Sequence, residues 1–186
     1  MIHLPRFASA AAFACLAALA TPACASDAAL RTAEVAPGIA VAGQLREADL
    51  SSLKAQGYTT IVALRPDGEG PDQAPSAAIA AAARAQGLRF SYIPVRPGSI
   101  PDEAVDKLGA ELQAAAPAPQ QRVLIYCRSG SRAARTWGLA EAARPGGGDA
   151  AAILAAIQAA GQSGGDLEEA LRQRVARRGA NLAAPD

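Results

Sequence analysis

The amino-acid sequence predicts an α/β protein: a three-layer α/β/α sandwich on a mainly parallel four-stranded sheet, with a helical hairpin added at the C-terminal end. Three observations carry that expectation. Short apolar, β-branched runs alternate with alanine-rich stretches of helical spacing, the order that builds a parallel sheet covered on both faces. Two of these runs, Thr59–Leu64 and Val123–Tyr126, are apolar almost without interruption, as strands buried on both sides are. After the break at Gly146–Gly148 only two helical patterns follow.

Met1–Ala25 has Arg6 as its one charge beside the ambiguous His3, then an Ala/Leu/Phe run and the small-residue site Ala23-Cys24-Ala25. That is the layout of a secretory signal peptide, removed on export, and it predicts a periplasmic or secreted protein. A lipid anchor on Cys24 fits less well, because Thr21-Pro22 stands where a leucine-type lipobox belongs. Residues 26–37 read as a flexible lead-in and residues 38–180 as a single domain.

Ile39–Ala42 is the first predicted strand, followed by Gly43-Gln44. Leu50 and Leu53 share a helix face, and Gly57 is placed to end that helix. Thr59–Leu64 is the second strand and stops at Arg65. Pro66–Pro75 holds too many turn formers to be regular, and loops at the C-terminal ends of parallel strands line sites. A helix spans Ser76–Gln86, with Ser76 as N-cap and Gly87 as its stop. Phe90–Val95 is the third strand, where Pro94 argues for an edge or a bulge.

Pro101-Asp102-Glu103 opens a helix with Val105, Leu108 and Leu112 on one face. The spacer Pro117-Ala118-Pro119 leads to Val123–Tyr126, which ends at Cys127. A helix follows over Ser131–Ala143 and is closed by Arg144-Pro145. Ala150–Ala160 and Asp166–Arg177 then form a hairpin packed on the sheet, the second helix opened by an Asp166/Glu169 capping box. Tyr126 and Trp137 are read as core.

Loss of the signal peptide removes Cys15, Cys24 and His3, so the mature chain has one cysteine, Cys127, and no histidine. That excludes an internal disulfide and Ser-His-Asp or Cys-His machinery, and speaks against zinc. No metal and no cofactor are expected. The whole chain has 18 Lys+Arg against 17 Asp+Glu, which suggests neither a nucleic-acid partner nor, after cleavage, a membrane.

Cys127-Arg128-Ser129-Gly130-Ser131-Arg132 follows a buried strand and opens a helix. Gly130 allows a tight turn with successive N–H groups pointing inward, and the positive helix end lies beneath. Such a place favours a thiolate and binds an anion. Cys127 is therefore the candidate nucleophile, with Arg132 supplying a guanidinium fork and Arg128, Ser129, Gly130 and Ser131 completing the anion site. Arg65, at a neighbouring strand end, either joins that site or pairs structurally with Asp67 or Glu69. Asp67 is a possible acid, and Glu69 could swing in from the same loop; the alternative is ordinary turn chemistry in Asp67-Gly68-Glu69.

Five segments carry a resemblance: Gly43-Gln44-Leu45, Gly57-Tyr58, Arg65-Pro66-Asp67-Gly68-Glu69, Ile93-Pro94-Val95 and Tyr126–Arg132. With these the chain resembles the bacterial β-lactamase-hydrolase-like phosphatase-like domain, a relative of dual-specificity protein phosphatases often labelled a sulfurtransferase. The resemblance implies a cysteine-phosphatase-like fold and a covalent intermediate on the cysteine.

Phosphatases of that superfamily have five residues between cysteine and arginine; here there are four, as in rhodanese-type sulfurtransferases. The first expectation is therefore a sulfurtransferase that carries a Cys127 persulfide between a small anionic sulfur donor and a thiol acceptor. The alternative is a phosphatase that forms a phosphocysteine from a phosphoester. A third reading is a noncatalytic sulfane or anion carrier.

Overall fold

A computed structural model describes residues 30–115 and 121–183. The predicted signal peptide and the Pro117-Ala118-Pro119 spacer lie outside the described residues. In chain order the elements are β1 (Thr32–Ala36), β2 (Ile39–Ala42), α1 (Asp49–Ala55), β3 (Tyr58–Ala63), α2 (Ser76–Ala85), β4 (Arg89–Tyr92), α3 (Asp102–Ala115), β5 (Arg122–Tyr126), α4 (Ser131–Ala143), α5 (Ala150–Ala159) and α6 (Glu168–Ala183).

One sheet runs in the order β1-β2-β5-β3-β4. β2, β5, β3 and β4 are parallel, as the alternating pattern predicts, and β5 is central because it pairs with β2 on one side and β3 on the other. β1 is a fifth strand, antiparallel to β2 and outside the four predicted. The expected lead-in 26–37 is thus structured from Thr32 onward: Pro37-Gly38 turns the chain, with Gly38 at φ +75°. Only Val35 of β1 is fully buried, so the strand lacks the apolar run that reveals the others.

Side chains alternate across β5 with the strand period. Val123, Ile125 and Cys127 enter one core with Val105 and Leu108 of α3 and Trp137 of α4; Leu124 and Tyr126 enter the other with Leu50 and Leu53 of α1 and Ile79 of α2. This is the predicted three-layer arrangement, and it fixes the cysteine on the α4 side. Tyr126 and Trp137 are core residues, as expected.

β4 is an edge strand, and Pro94 follows its end. Ile93 and Val95 donate their N–H groups to Ala63 and Leu64 on either side of the proline, which has none to give.

The hairpin differs from expectation in what it covers. α5 and α6 rest mainly on α4, while α5 also reaches β1. Gly138 makes the close approach possible: a Cβ there would lie 2.9 Å from Ile157 and 3.0 Å from Ile153. The Asp166/Glu169 capping box is not formed. Asp166 sits in a 3-10 turn, Gly165–Leu167, and its carboxylate accepts from Arg135, while Glu169 accepts from Gln173. A distant guanidinium has outcompeted the local backbone. No helix among the described residues is long and apolar enough to cross a membrane.

Candidate active site

β5 delivers Cys127 to the C-terminal edge of the sheet, and α4 begins four residues later at Ser131. The thiol is buried, 1% exposed. Its own N–H donates to Ala42 O at 3.3 Å, which ties the turn to β2. The N–H of Gly130 donates to Cys127 Sγ at 3.2 Å.

That contact depends on Gly130 standing at φ +92°, in the left-handed region. A Cβ there would also meet Gln162 Nε2 at 3.0 Å and the Ala42 backbone at 3.6 Å. α4 has no side-chain cap, and its first internal bond runs from Ala134 N–H to Gly130 O. The N–H groups of Ser131, Arg132 and Ala133 therefore lack intrahelical acceptors, the arrangement that gives a helix start its affinity for anions. Arg128 and Ser129 are exposed at the mouth, and Ser131 is half-buried.

The structure joins Arg132 and Arg65 through Glu69. Glu69 accepts from Arg132 through both oxygens, Nη1 to Oε2 at 2.7 Å and Nη2 to Oε1 at 2.6 Å. Arg132 Nη1 also donates to Val95 O at 2.6 Å. Arg65, 7% exposed, donates from Nη1 to Gln44 Oε1 at 2.7 Å, and its Nε stands 3.4 Å from Glu69 Oε1.

Gln44 closes the circuit, since its backbone N–H donates to Arg128 O at 3.1 Å. A ring of polar contacts thus leaves the cysteine turn at Arg128, passes Gln44, Arg65 and Glu69, and returns at Arg132. The hydrogen bonds from Arg132, helped by the charges of Arg132 and Arg65, hold the Glu69 carboxyl below its ordinary range against the opposing effect of burial. Of the alternatives for Arg65, a place at the anion site or a structural pairing with Asp67 or Glu69, the structure displays the pairing with Glu69.

Asp67 is directed elsewhere. Its Oδ1 accepts from Ser76 N–H at 2.7 Å and its Oδ2 from Ser76 Oγ at 2.6 Å, while its own N–H donates to Tyr92 Oη. The predicted N-cap, Ser76, is instead the first residue of α2, and Asp67 caps that helix from nine residues upstream. Burial, with the Asp67 charge adding to it, pushes the Tyr126 phenol up, so Tyr126 stays neutral beside this loop. No group of three or more His, Cys, Asp or Glu residues among the described residues is placed to hold a metal ion.

Sequence reasoning missed Glu69 as the partner of Arg132. Its signal was a carboxylate after a strand end that must face an arginine-bearing turn. Gln44 was visible only as part of a motif, and Gln162, beside Gly130, gave no signal at all.

A family model described as "Beta-lactamase hydrolase-like protein, phosphatase-like domain" matches residues 29–144. A beta-lactamase hydrolase-like protein of Xylella fastidiosa (strain 9a5c) is 33% identical over 112 residues, covering 60% of this chain and 25% of the relative. The chain thus spans about a quarter of the length of the curated relatives it matches.

Among solved structures, nma1982 of Neisseria meningitidis Z2491, described as a candidate phosphatase, has a TM-score of 0.64 at 29% identity over 76% of this chain and 96% of its own. Tk-PTP in its active form has a TM-score of 0.61 at 15% identity, over 79% and 97% of the two chains, a likeness of fold. Fold, cysteine turn and matched segment agree, and the chain belongs to the family of beta-lactamase hydrolase-like phosphatase-like domains.

Proposed function

We propose that this protein is a cysteine-dependent phosphatase whose nucleophile is Cys127. The observation that carries the reading is the Gly130 N–H aimed at Cys127 Sγ, at the junction of β5 and an uncapped helix start. A thiolate is stabilised by such a donor, and so are the oxygens of a phosphoryl group bound above it. The family match supports phosphoryl chemistry over the sulfur transfer that loop length first suggested.

In this mechanism Cys127 Sγ attacks phosphorus, the S–P bond forms and the P–O bond to the leaving group breaks. Water then attacks the phosphocysteine, inorganic phosphate departs and the thiolate is restored. Inward N–H groups of the turn hold the nonbridging oxygens, and Arg132 orients them. Its bidentate contact with Glu69 and its bond to Val95 O leave Nε–H and one Nη2 hydrogen, a fork along one edge of the guanidinium.

Asp67 is engaged by Ser76, and Glu69 is held as an anion by Arg132. Neither is set to protonate a leaving alkoxide. The substrate class that fits is therefore one whose leaving group is stable without a proton, such as an aryl phosphate or an acyl or phosphoric anhydride.

Sulfur transfer is kept as a second reading because four residues, not five, separate Cys127 from Arg132. There Cys127 would attack the sulfane sulfur of an anionic donor, release sulfite or a thiolate, and pass the outer sulfur to an acceptor thiol, again without an acid. In either reading we place the protein outside the cytoplasm, on the pattern of residues 1–25.

The test is turnover of an aryl phosphate by reduced protein beside the Cys127→Ser variant. Hydrolysis that vanishes in the variant supports the phosphatase. No hydrolysis, with thiosulfate adding one sulfur to Cys127 by intact mass, transfers the assignment to sulfur chemistry. Neither activity would leave the noncatalytic carrier.

A further inference from the structure

The helical hairpin lies beyond the segment that defines the family, residues 29–144, yet it touches the cysteine turn. Two contacts make the connection. Arg135, on the second turn of α4, donates from Nη1 and Nη2 to the two oxygens of Asp166 at 2.6 Å each. Gln162, in the α5–α6 connection, donates from Nε2 to Ser129 O at 3.4 Å and lies against the outer side of Gly130.

The geometry of a trans peptide turns the second contact into a statement about the sulfur. The C=O of one residue and the N–H of the next point in opposite directions across the peptide plane. If Ser129 O is held outward by Gln162, the N–H of Gly130 must point inward, and it does, at 3.2 Å from Cys127 Sγ. The preceding peptide obeys the same rule. Arg128 O accepts from Gln44 N–H on the outside, so the N–H of Ser129 also faces in.

The two outer donors differ in kind. Gln44 is a backbone group fixed by the end of β2, whereas Gln162 is a side chain brought by the hairpin. Ser129 also bridges Gly43 beyond the end of β2, and since a glycine follows it Gln162 adds a second, outside hold on this peptide.

We infer that Gln162 is a positioning residue, which keeps the Ser129–Gly130 peptide in the orientation that presents its N–H to Cys127. The hairpin, docked through Asp166 and Arg135, thereby completes a nucleophile site whose other parts lie within the family segment. This rests on Cys127 being the nucleophile, but not on which electrophile it attacks.

Gln162→Met keeps the length and bulk of the side chain and removes the donor; Asp166→Asn weakens the docking without touching the turn. The measurement is the rate of Cys127 alkylation by iodoacetamide as a function of pH, on the full chain, with thermal melts alongside. Arg128, Arg132, Arg65 and Glu69 are the same in all three proteins; Asp166→Asn also removes the charge that faces Arg135, so Gln162→Met, which changes no charge, is the variant that decides.

The expected result for Gln162→Met is a roughly fivefold slower reaction at neutral pH, with Tm within about 2 °C of wild type. Asp166→Asn should show a smaller change of the same sign. A Gln162→Met protein that alkylates as wild type does, from a wild-type thiol more reactive than free cysteine, overturns the role of Gln162 alone. A wild-type thiol no more reactive than free cysteine overturns this role and the nucleophile assignment together.

Discussion

Glu69→Gln keeps the shape of the side chain, removes its charge and turns one acceptor into a donor facing the Arg132 guanidinium. Glu69, Arg132 and Arg65 are only 14%, 13% and 8% exposed, so solvent screens their attraction little. Breaking a buried ion pair from one side costs about 3–5 kcal/mol. Glutamine keeps one acceptor, Arg132 keeps Val95 O and Arg65 keeps Gln44, which brings the expected loss to about 2 kcal/mol. For a chain of this size that is a fall in Tm of about 4–8 °C.

The dependence on pH follows from the direction of the Glu69 shift. The folded carboxyl titrates below its unfolded value, so its stabilisation is present above that value, about 4.3, and is lost as pH falls through the lower folded value. The Tm gap between wild type and variant should therefore be full at neutral pH and close in acid. Thermal melts of both proteins from pH 7 to pH 3 give the gap directly, because other depressed carboxylates, such as Glu141, cancel in the difference. A gap that stays constant over that range, or one under about 1 °C at pH 7, would refute the picture of Glu69 as the buried anion of this site.

Asp67→Ala should lower Tm by about 2–4 °C through loss of the α2 cap, and leave aryl phosphate turnover within about twofold. A kcat loss that grows with the basicity of the leaving group would restore Asp67 as the acid. Gly130→Ala forces an L side chain to φ +92° against Gln162, at about 1–2 kcal/mol. Cys127 reactivity should fall more than the modest change in Tm accounts for, and an unchanged alkylation rate would contradict the described turn. Arg178→Ala removes a guanidinium nitrogen that serves the carbonyls of Glu141, Arg144 and Gly148 where α4 ends. Stability should drop by about 1–3 kcal/mol in denaturant melts with the specific activity of the folded enzyme intact.

What the sequence made legible was what its local patterns encode. β3 and β5 announce themselves by continuous apolar runs, α3 by the spacing of Val105 and Leu108, and the cysteine turn by its glycine and its place after β5. β1 stayed hidden because Thr32, Ala33 and Glu34 bury too little to show a period, and its pairing is supplied by β2.

Contacts between distant segments were equally silent. Arg132 and Glu69 are 63 residues apart, and Arg135 and Asp166 are 31. A charged residue near a turn has many possible partners, and only the fold selects one. The same limit explains Asp67 and Asp166. Each looked like part of a local motif, and each carboxylate found a more distant donor.

The depth of Cys127 sets a size limit on everything that reaches it. Cys127, 1% exposed at the foot of the turn, offers little surface to an incoming molecule. Attack on a disulfide requires three sulfurs nearly in line, with room for the rest of the incoming molecule behind them. A large protein disulfide meets that demand at a buried cysteine less readily than a small anion meets its own. In an oxidising compartment, burial would thus guard Cys127 against mixed disulfides with other proteins.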